Sequence, residues 1–261
     1  MSTRQFTDQM GRVISINYPP LRIISLVPSQ TELLFDLGHD KEIVGITKFC
    51  VHPLDKFKAT AKIGGTKSLN LKKIHELKPD LIIGNKEENE RVQIEELISE
   101  FPVWMSDINV LEDAIEMINE IGILTGKSQE AELLSFAITN GFKTMKLGGG
   151  RKQTVAYFIW KDPYMVAGRD TFINDILDKA GFDNFTELNR YPELSSDQIG
   201  ESLPDIVFLS SEPYPFKNVH VEEIKIICPA AKVIVVDGEM FSWYGSRLLQ
   251  TPAYLQTLAE L

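Results

Sequence analysis

The chain has 261 residues, 43% of them hydrophobic and 25% charged, with a formal net charge of −10 and a pI near 5.0. That balance suits a globular chain of one large or two ordinary domains and excludes a nucleic-acid binder, whose affinity rests on Lys and Arg neutralising phosphates. No apolar run reaches the ~18 residues a bilayer span needs, so no membrane insertion is expected, and two cysteines, Cys50 and Cys228, are too few for a disulfide framework or a cysteine-built zinc site.

The opening "MSTRQFTDQMGRVISIN" lacks the apolar centre of a secretory signal, which predicts a cytoplasmic chain as written, or a periplasmic or surface one if a signal has been removed. Two strand-like pieces flank Asp8-Gln9-Met10-Gly11 and predict a hairpin. "LRIISLV" is a continuous Ile/Leu/Val run, the mark of a strand buried on both faces. "TELLFDLG" follows as a helix closed by Gly38, and Ser29 and Glu32 have the spacing of a capping box at its start. Next come a strand ("EIVGITKF"), a short helix stopping before Pro79 ("LNLKKIHELKPD"), a strand ("LIIGN"), a helix ("EENERVQIEELISE") and a strand ("PVWMS"). Strands alternating with helices predict a parallel sheet covered on both faces.

From Asn109 to Lys146 the strand signals stop. "NVLEDAIEMINEIGILTG" opens with Asn109 and Glu112 at capping-box spacing, and "SQEAELLSFAITNGFKTMK" continues after a break at Gly126 as a helix roughly 28 Å long, ended by "GGGRK". The alternation then resumes with "TVAYFIW", a helix closed by Gly181, a short helix "SSDQIGESL", the strand "DIVFLSS", the helix "VEEIKIIC", the strand "KVIVVD" and a final helix "SRLLQTPAYLQTLAEL". The stretches "IHELKPDLIIGN" and "IGESLPDIVFLS" share one plan, so the expected fold is α/β: two similar lobes with central, mostly parallel sheets, residues 1–109 and 148–261, joined by a rigid helical segment over 110–147. Open α/β sheets bind ligands beyond the carboxyl ends of their strands, and two lobes facing each other would line a cleft with those loops.

The strand-end loops of the first half are "PSQ", "KFCVHP", "GGTKS" and "NKEEN", giving Pro28, Ser29, Gln30, Phe49, His52, Thr66, Lys67 and Asn85 as candidate contacts. Those of the second half are rich in aromatics: Trp160, Tyr164, Tyr191, Tyr214, Phe216, Phe241, Trp243 and Tyr244. Rings in loops read as a wall that stacks on a flat ligand, with about half of them expected in the lobe cores instead. His52 could ligate the metal of a chelated ligand through one imidazole nitrogen, while His39, His75 and His220 read as surface residues. Ser29 sits at a strand-to-helix turn, but Pro28 and Gln30 flank it where a nucleophile elbow needs glycine spacing. No Walker loop occurs; Lys67, Lys86 and Arg247 remain as cations for a ligand carboxylate or phosphate.

Four stretches in order, "RIISLVPSQTELLFDLG", "LNLKKIHELKPDLIIG", "MVAGRDTFINDILDKAGFDNF" and "SSDQIGESLPDIVFLS", resemble the helical-backbone substrate-binding proteins of metal-chelate ABC importers, of the vitamin B12-binding and iron–siderophore-binding type. The resemblance implies the class III periplasmic-binding-protein architecture and a ligand held between lobes without chemistry. It places Tyr191, Tyr164 and Phe49 at or near aromatic ligand positions and Arg247 at a basic contact, whereas Thr66 and Asn85 stand where the vitamin B12 type has tryptophans. It also implies an acidic residue on each lobe for docking to a permease. Asp197 has that character, but the first-lobe position is Lys72.

The expected function is therefore that of a non-enzymatic solute-binding protein for a metal chelate. A corrinoid such as cobalamin is favoured over haem or a ferric siderophore. No built-in cofactor is expected, nor any oligomer beyond a monomer, and an ABC permease is the expected partner of the transport reading, against which Lys72 stands. Its alternatives are a cytoplasmic chelate-binding relative without a permease, and an α/β hydrolase using the same cleft.

Overall fold

The computed structural model describes residues 2–146 and 151–259. The chain divides into two compact units, one of Met1–Ile108, Glu112–Thr139 and Tyr244–Leu249, the other of Asn109–Leu111, Asn140–Trp243 and Gln250–Leu261.

The first unit opens with the hairpin β1 (Ser2–Thr7) and β2 (Val13–Tyr18), in register from Ser2↔Tyr18 to Thr7↔Val13. Its turn is fixed by Asp8, which accepts from the Arg12 side chain and from the backbone N–H of Met10 and Arg12. Arg12 then donates to Val103 O, and Gln9 to Asp113 O, so a hairpin too small to stand alone is anchored to the unit behind it. The sheet itself is parallel, in the order β4-β3-β7-β8, from β3 (Ile23–Ser25), β4 (Ile43–Ile46), β7 (Leu81–Asn85) and β8 (Val103–Ser106). The helices α1 (Pro28–Asp36), α2 (Leu54–Ala59), α3 (Leu71–Leu77) and α4 (Arg91–Ile98) connect them. A small hairpin, β5 (Gly64–Gly65) with β6 (Ser68–Leu69), precedes α3. Ile23, Ile24, Leu81, Ile82 and Ile83 are all fully buried, as a two-faced strand requires.

Two helices follow, α5 (Leu111–Thr125) and α6 (Ser128–Thr144), broken at Gly126. Residues 112–139 of this pair belong to the first unit and α6 runs on into the second. The helix α5 opens at Leu111, two residues after Asn109. The glycines expected to end α6 at 148–150 lie outside the described residues.

One helical carboxylate is out of balance. Glu120 in α5 has a carboxyl pKa pushed up to about 7, by burial first and then by the charges of Glu116 and Asp8. The folded chain therefore holds a proton there that the unfolded chain has lost, so this site weakens folding as pH rises from 4.5 to 7. Glu120→Gln is expected to melt later than the parent at pH 8, by about 1 kcal/mol after allowance for solvent screening, with the advantage gone near pH 4.5. Equal melting curves at pH 8 contradict the assignment.

The second unit holds a mixed six-stranded sheet in the order β12-β10-β9-β13-β14, with β11 (Asp183–Asn184) also on β9. Its parallel centre is β9 (Thr154–Trp160), β13 (Ile206–Ser210) and β14 (Lys232–Val236). On the other side, β10 (Tyr164–Val166) runs antiparallel to β9, and β12 (Glu193–Leu194) antiparallel to β10. Ala156, Phe158, Val207 and Leu209 pack on one face with Ile199 and Ile224. Alternate residues supply the other face, where Tyr157, Phe208, Phe182 and Phe241 meet edge-on or tilted at 4.9–6.4 Å.

The covering helices are α7 (Phe172–Lys179), α8 (Ser196–Glu201), α9 (Asn218–Ile227), α10 (Glu239–Ser242) and α11 (Thr251–Ala259). The expected single C-terminal helix is two pieces. A 3-10 turn over Ser246–Leu249 belongs to the first unit, and α11 restarts in the second with Pro252 in its first turn, where the missing N–H costs nothing.

Candidate functional site

In the first unit each parallel strand, or the residue just beyond it, ends on a buried polar side chain: Ser25, Thr47, Asn85 and Ser106. These side chains form two hydrogen-bonded groups under the strand-end loops. Gln30 Nε2 donates to Ser106 Oγ at 2.7 Å, and Asn85 Nδ2 donates to the same oxygen at 2.9 Å. Thr31 Oγ1 donates to Ser25 Oγ at 2.7 Å, and Thr31 and Thr47 hold Cys50 Sγ at 3.1 Å each. Cys50 is a buried free thiol whose pKa is raised by that burial. The sequence carried a signal for this layer, a polar residue closing each apolar run, which hydrophobic patterning alone passes over.

The capping box at Ser29 does not form. The helix α1 starts two residues earlier, with Val27 at the N-cap and Pro28 at the first position, so Ser29 falls inside the first turn and Glu32 is free for another partner. Ser29 Oγ and Gln30 Oε1 are buried without a hydrogen-bond partner among the described residues. Among the described residues no base lies within hydrogen-bond reach of Ser29 Oγ, the contact that would activate a serine nucleophile. Glu32 instead receives a two-pronged contact from Arg247, at 3.0 Å from Nε and 2.5 Å from Nη2, with both side chains nearly buried. Burial outweighs the arginine and leaves the Glu32 pKa raised, with a small opposing contribution from the charge of His52.

Above this layer the loop after β4 presents Phe49, 50% exposed, with Val51 and Leu54 also exposed beside it and His52 half-buried. Lys48 Nζ lies 5.0 Å from the Phe49 ring centre. The ring lies across Gly65, where a Cβ would come within 3.1 Å of Phe49 Cε2. Thr66 and Lys67 form the turn just beyond, and Lys67 Nζ donates to Glu87 O. Phe49, Thr66, Lys67 and the buried Asn85 thus share one strand-end face.

In the second unit Trp160 closes β9 at 40% exposure and meets Tyr214 edge-on at 5.6 Å. The ring series continues through Phe216 to Phe158, which Tyr164 meets edge-on at 5.6 Å. Tyr191, half-buried, lies against the Arg190 guanidinium. Phe216, Phe241, Trp243 and Tyr244 are buried, so half of the eight loop aromatics pack inward. Trp243 is pinned there: its Nε1–H donates to Glu212 at 2.8 Å and Ser242 Oγ donates to the same oxygen at 2.9 Å. Burial, more than any neighbouring charge, raises the Glu212 pKa.

Two histidine expectations change. His39 is buried at the end of α1 beside Glu42, with its pKa lowered chiefly by burial. His220 turns back on its own helix start, where its Nδ1 accepts from the Lys217 N–H at 2.9 Å, and it lies edge-on to Tyr214. Among the described residues there is no group of three or more His, Cys, Asp or Glu side chains suited to a metal ion, and no helix long and apolar enough to cross a membrane. Asp197 lies exposed on α8, on a hollow of about 420 Å³ lined also by Ser196, Gly200, Glu201, Ile226 and Ile227.

Comparison with known proteins agrees with this architecture. Residues 23–225 match the family model described as periplasmic binding protein. A vitamin B12-binding protein of Pectobacterium carotovorum is 22% identical over 237 residues, covering 88% of this chain and 85% of that protein. Among solved structures, the periplasmic haem-binding protein RhuT from Roseiflexus sp. RS-1 superposes with a TM-score of 0.78 at 20% identity, over 92% of this chain and 96% of that one. The periplasmic molybdate-binding protein MolA, cognate to a Haemophilus influenzae ABC transporter, gives a TM-score of 0.82 at 16% identity, over 98% and 91%.

Proposed function

The chain belongs to the periplasmic binding protein family, and we propose that it is the binding component of an ABC import system whose ligand is a metal chelate, in the first place a corrinoid such as cobalamin. The observation that carries this reading is the pair of large rings left exposed at strand carboxyl ends, Phe49 in one unit and Trp160 in the other. Exposed rings beside buried polar layers suit a broad, partly apolar guest with polar edges. The likeness to a vitamin B12-binding protein and to a haem-binding one supports a flat macrocycle, and the likeness to a molybdate-binding one makes a small oxyanion the outcome to test against it. Phe49, Trp160, Tyr164, Tyr191 and Tyr214 stack on the guest; Thr66 and Lys67 meet its polar groups, while Asn85, buried with its amide bonded to Ser106 and its carbonyl to the Glu87 and Glu88 N–H groups, supports the loop from below and does not reach the guest; His52 would offer a nitrogen to its metal.

The testing experiment is titration of the purified chain with cyanocobalamin, hemin, a ferric hydroxamate siderophore and molybdate, followed by visible absorbance and tryptophan fluorescence. Saturable binding of a macrocycle with quenching of Trp160 is expected. Binding of molybdate alone, or of none, overturns the chelate reading.

For delivery, Asp197 and Glu201 make an acidic hollow beside the exposed Ile226, suited to a basic side chain of the permease. Asp197→Lys is expected to leave ligand affinity unchanged and to abolish uptake in cells that carry the permease. Undiminished uptake contradicts that docking role.

A further inference from the structure

The hairpin that carries Thr66 and Lys67 cannot hold itself. Its ladder is two residues per strand, Gly64↔Leu69 and Gly65↔Ser68, far below what an isolated hairpin needs. Gly64 adopts φ +100, and a Cβ there would stand 2.4 Å from Ser68 O, so the turn is tight as well as short.

Its support comes from the stretch that leads into α4. Gln93, in the first turn of α4, bonds the hairpin turn and its outgoing strand: Nε2 donates to Lys67 O at 3.1 Å, and Oε1 accepts from the Leu69 N–H at 2.7 Å. Asn89 bonds it on the near side, with Nδ2 donating to Thr66 O at 3.1 Å. The same Asn89 amide reaches the neighbouring strand end, where Oδ1 accepts from the Asn85 N–H at 2.9 Å. Asn89 is buried, and Gly84 leaves the room for it, since a Cβ at Gly84 would stand 2.7 Å from Asn89 Oδ1. On its other side the hairpin meets the loop after β4, through Lys48 N–H to Gly64 O at 2.8 Å and through the Phe49 ring on Gly65.

We propose that Asn89 and Gln93 are positioning residues that clasp the turn of the β5–β6 hairpin and so hold Thr66, Lys67 and the Phe49 ring in the arrangement the ligand meets. This rests on the function proposed above. Neither residue touches the ligand. Both act by removing freedom from the loop before binding, so that less ordering cost falls on the complex. Without the clasp the turn still closes, but the loop must be ordered by the guest itself, and the complex dissociates faster.

The test uses the whole chain and whichever member of the four-ligand panel binds the parent. Gln93→Ala removes two of the bonds from a half-buried position and is expected to fold. Hydrogen exchange in the unliganded protein should quicken about 10-fold at residues 65–69, the cost of roughly one lost hydrogen bond, while residues 81–85 stay protected. Ligand affinity should fall about 5-fold, carried by the dissociation rate, with the melting temperature held within ~3 °C. Gln93→Glu keeps the acceptor for Leu69 and loses the donor to Lys67, and should fall between the two; Asn89→Ala should quicken exchange at 65–69 and at 85 together. A parent that binds, with a Gln93→Ala variant that binds as tightly and exchanges as slowly, overturns this inference alone. Faster exchange with unchanged affinity also overturns it, since the clasp is then structural only. A parent that binds no panel member overturns the proposed function and this inference with it.

Discussion

Replacing Arg247 with alanine is expected to destabilise the chain by about 3 kcal/mol, the usual cost of breaking a buried ion pair from one side. The guanidinium meets Glu32 through two parallel N–H groups, and the two side chains are only 10% and 13% exposed. Ser246 Oγ donates to Asp36 on the same helix, so the 3-10 turn over Ser246–Leu249 is held to α1 at two points. Removing the arginine leaves a buried carboxylate with its counter-charge gone. Glu32 already has a raised pKa, because burial outweighs Arg247, and the variant raises it further.

The sign follows from proton binding. A carboxyl whose folded pKa lies above its unfolded value takes up a proton in the folded state, so stability falls as pH rises above the ordinary glutamate range. Denaturant melts of Arg247→Ala should therefore show a larger loss at pH 8 than at pH 5. A Glu32→Gln, Arg247→Met double variant should lose less than Arg247→Ala alone, since it buries no unpaired charge. A loss below ~1 kcal/mol at pH 8, the range of exposed pairs, contradicts the account of this contact.

Phe49→Ala and Trp160→Ala should each weaken binding of the macrocycle roughly 30-fold, or about 2 kcal/mol, as truncation of a central aromatic contact does. Both rings are substantially exposed, at 50% and 40%, so truncation removes little core packing and the melting temperature should move little. Phe241→Ala makes the contrasting control. That ring is fully buried against Tyr157 and Phe208, so its loss should cost about 3–5 kcal/mol of stability. Titration of the three variants by visible absorbance separates the roles. Parent-like affinity in both Phe49→Ala and Trp160→Ala removes the stacking wall.

The α/β alternation was legible because its strands are continuous apolar runs and its helices end at glycines, as at Gly38 and Gly181, both with positive φ. The short elements were not: β10, β11 and β12 have two or three residues each, too few for a period to show. The capping box at Ser29 misled because spacing alone satisfied the signature, while Pro28 set the helix start two residues sooner. Glu32 and Arg247 are 215 residues apart in sequence, and nothing local announces such a pair. The loop aromatics divide by neighbours and not by type: Trp243 is drawn inward because Glu212 offers its indole N–H an acceptor, while Trp160 keeps an open face.

Hydrogen exchange of the chain with and without the bound chelate tests the central claim most directly. Protection is expected in the loops around Phe49, Thr66 and Asn85 and, in the same complex, around Trp160, Tyr164 and Tyr214. Protection confined to one of these sets, or found instead along α8 and α9, contradicts the proposed binding at these strand-end loops.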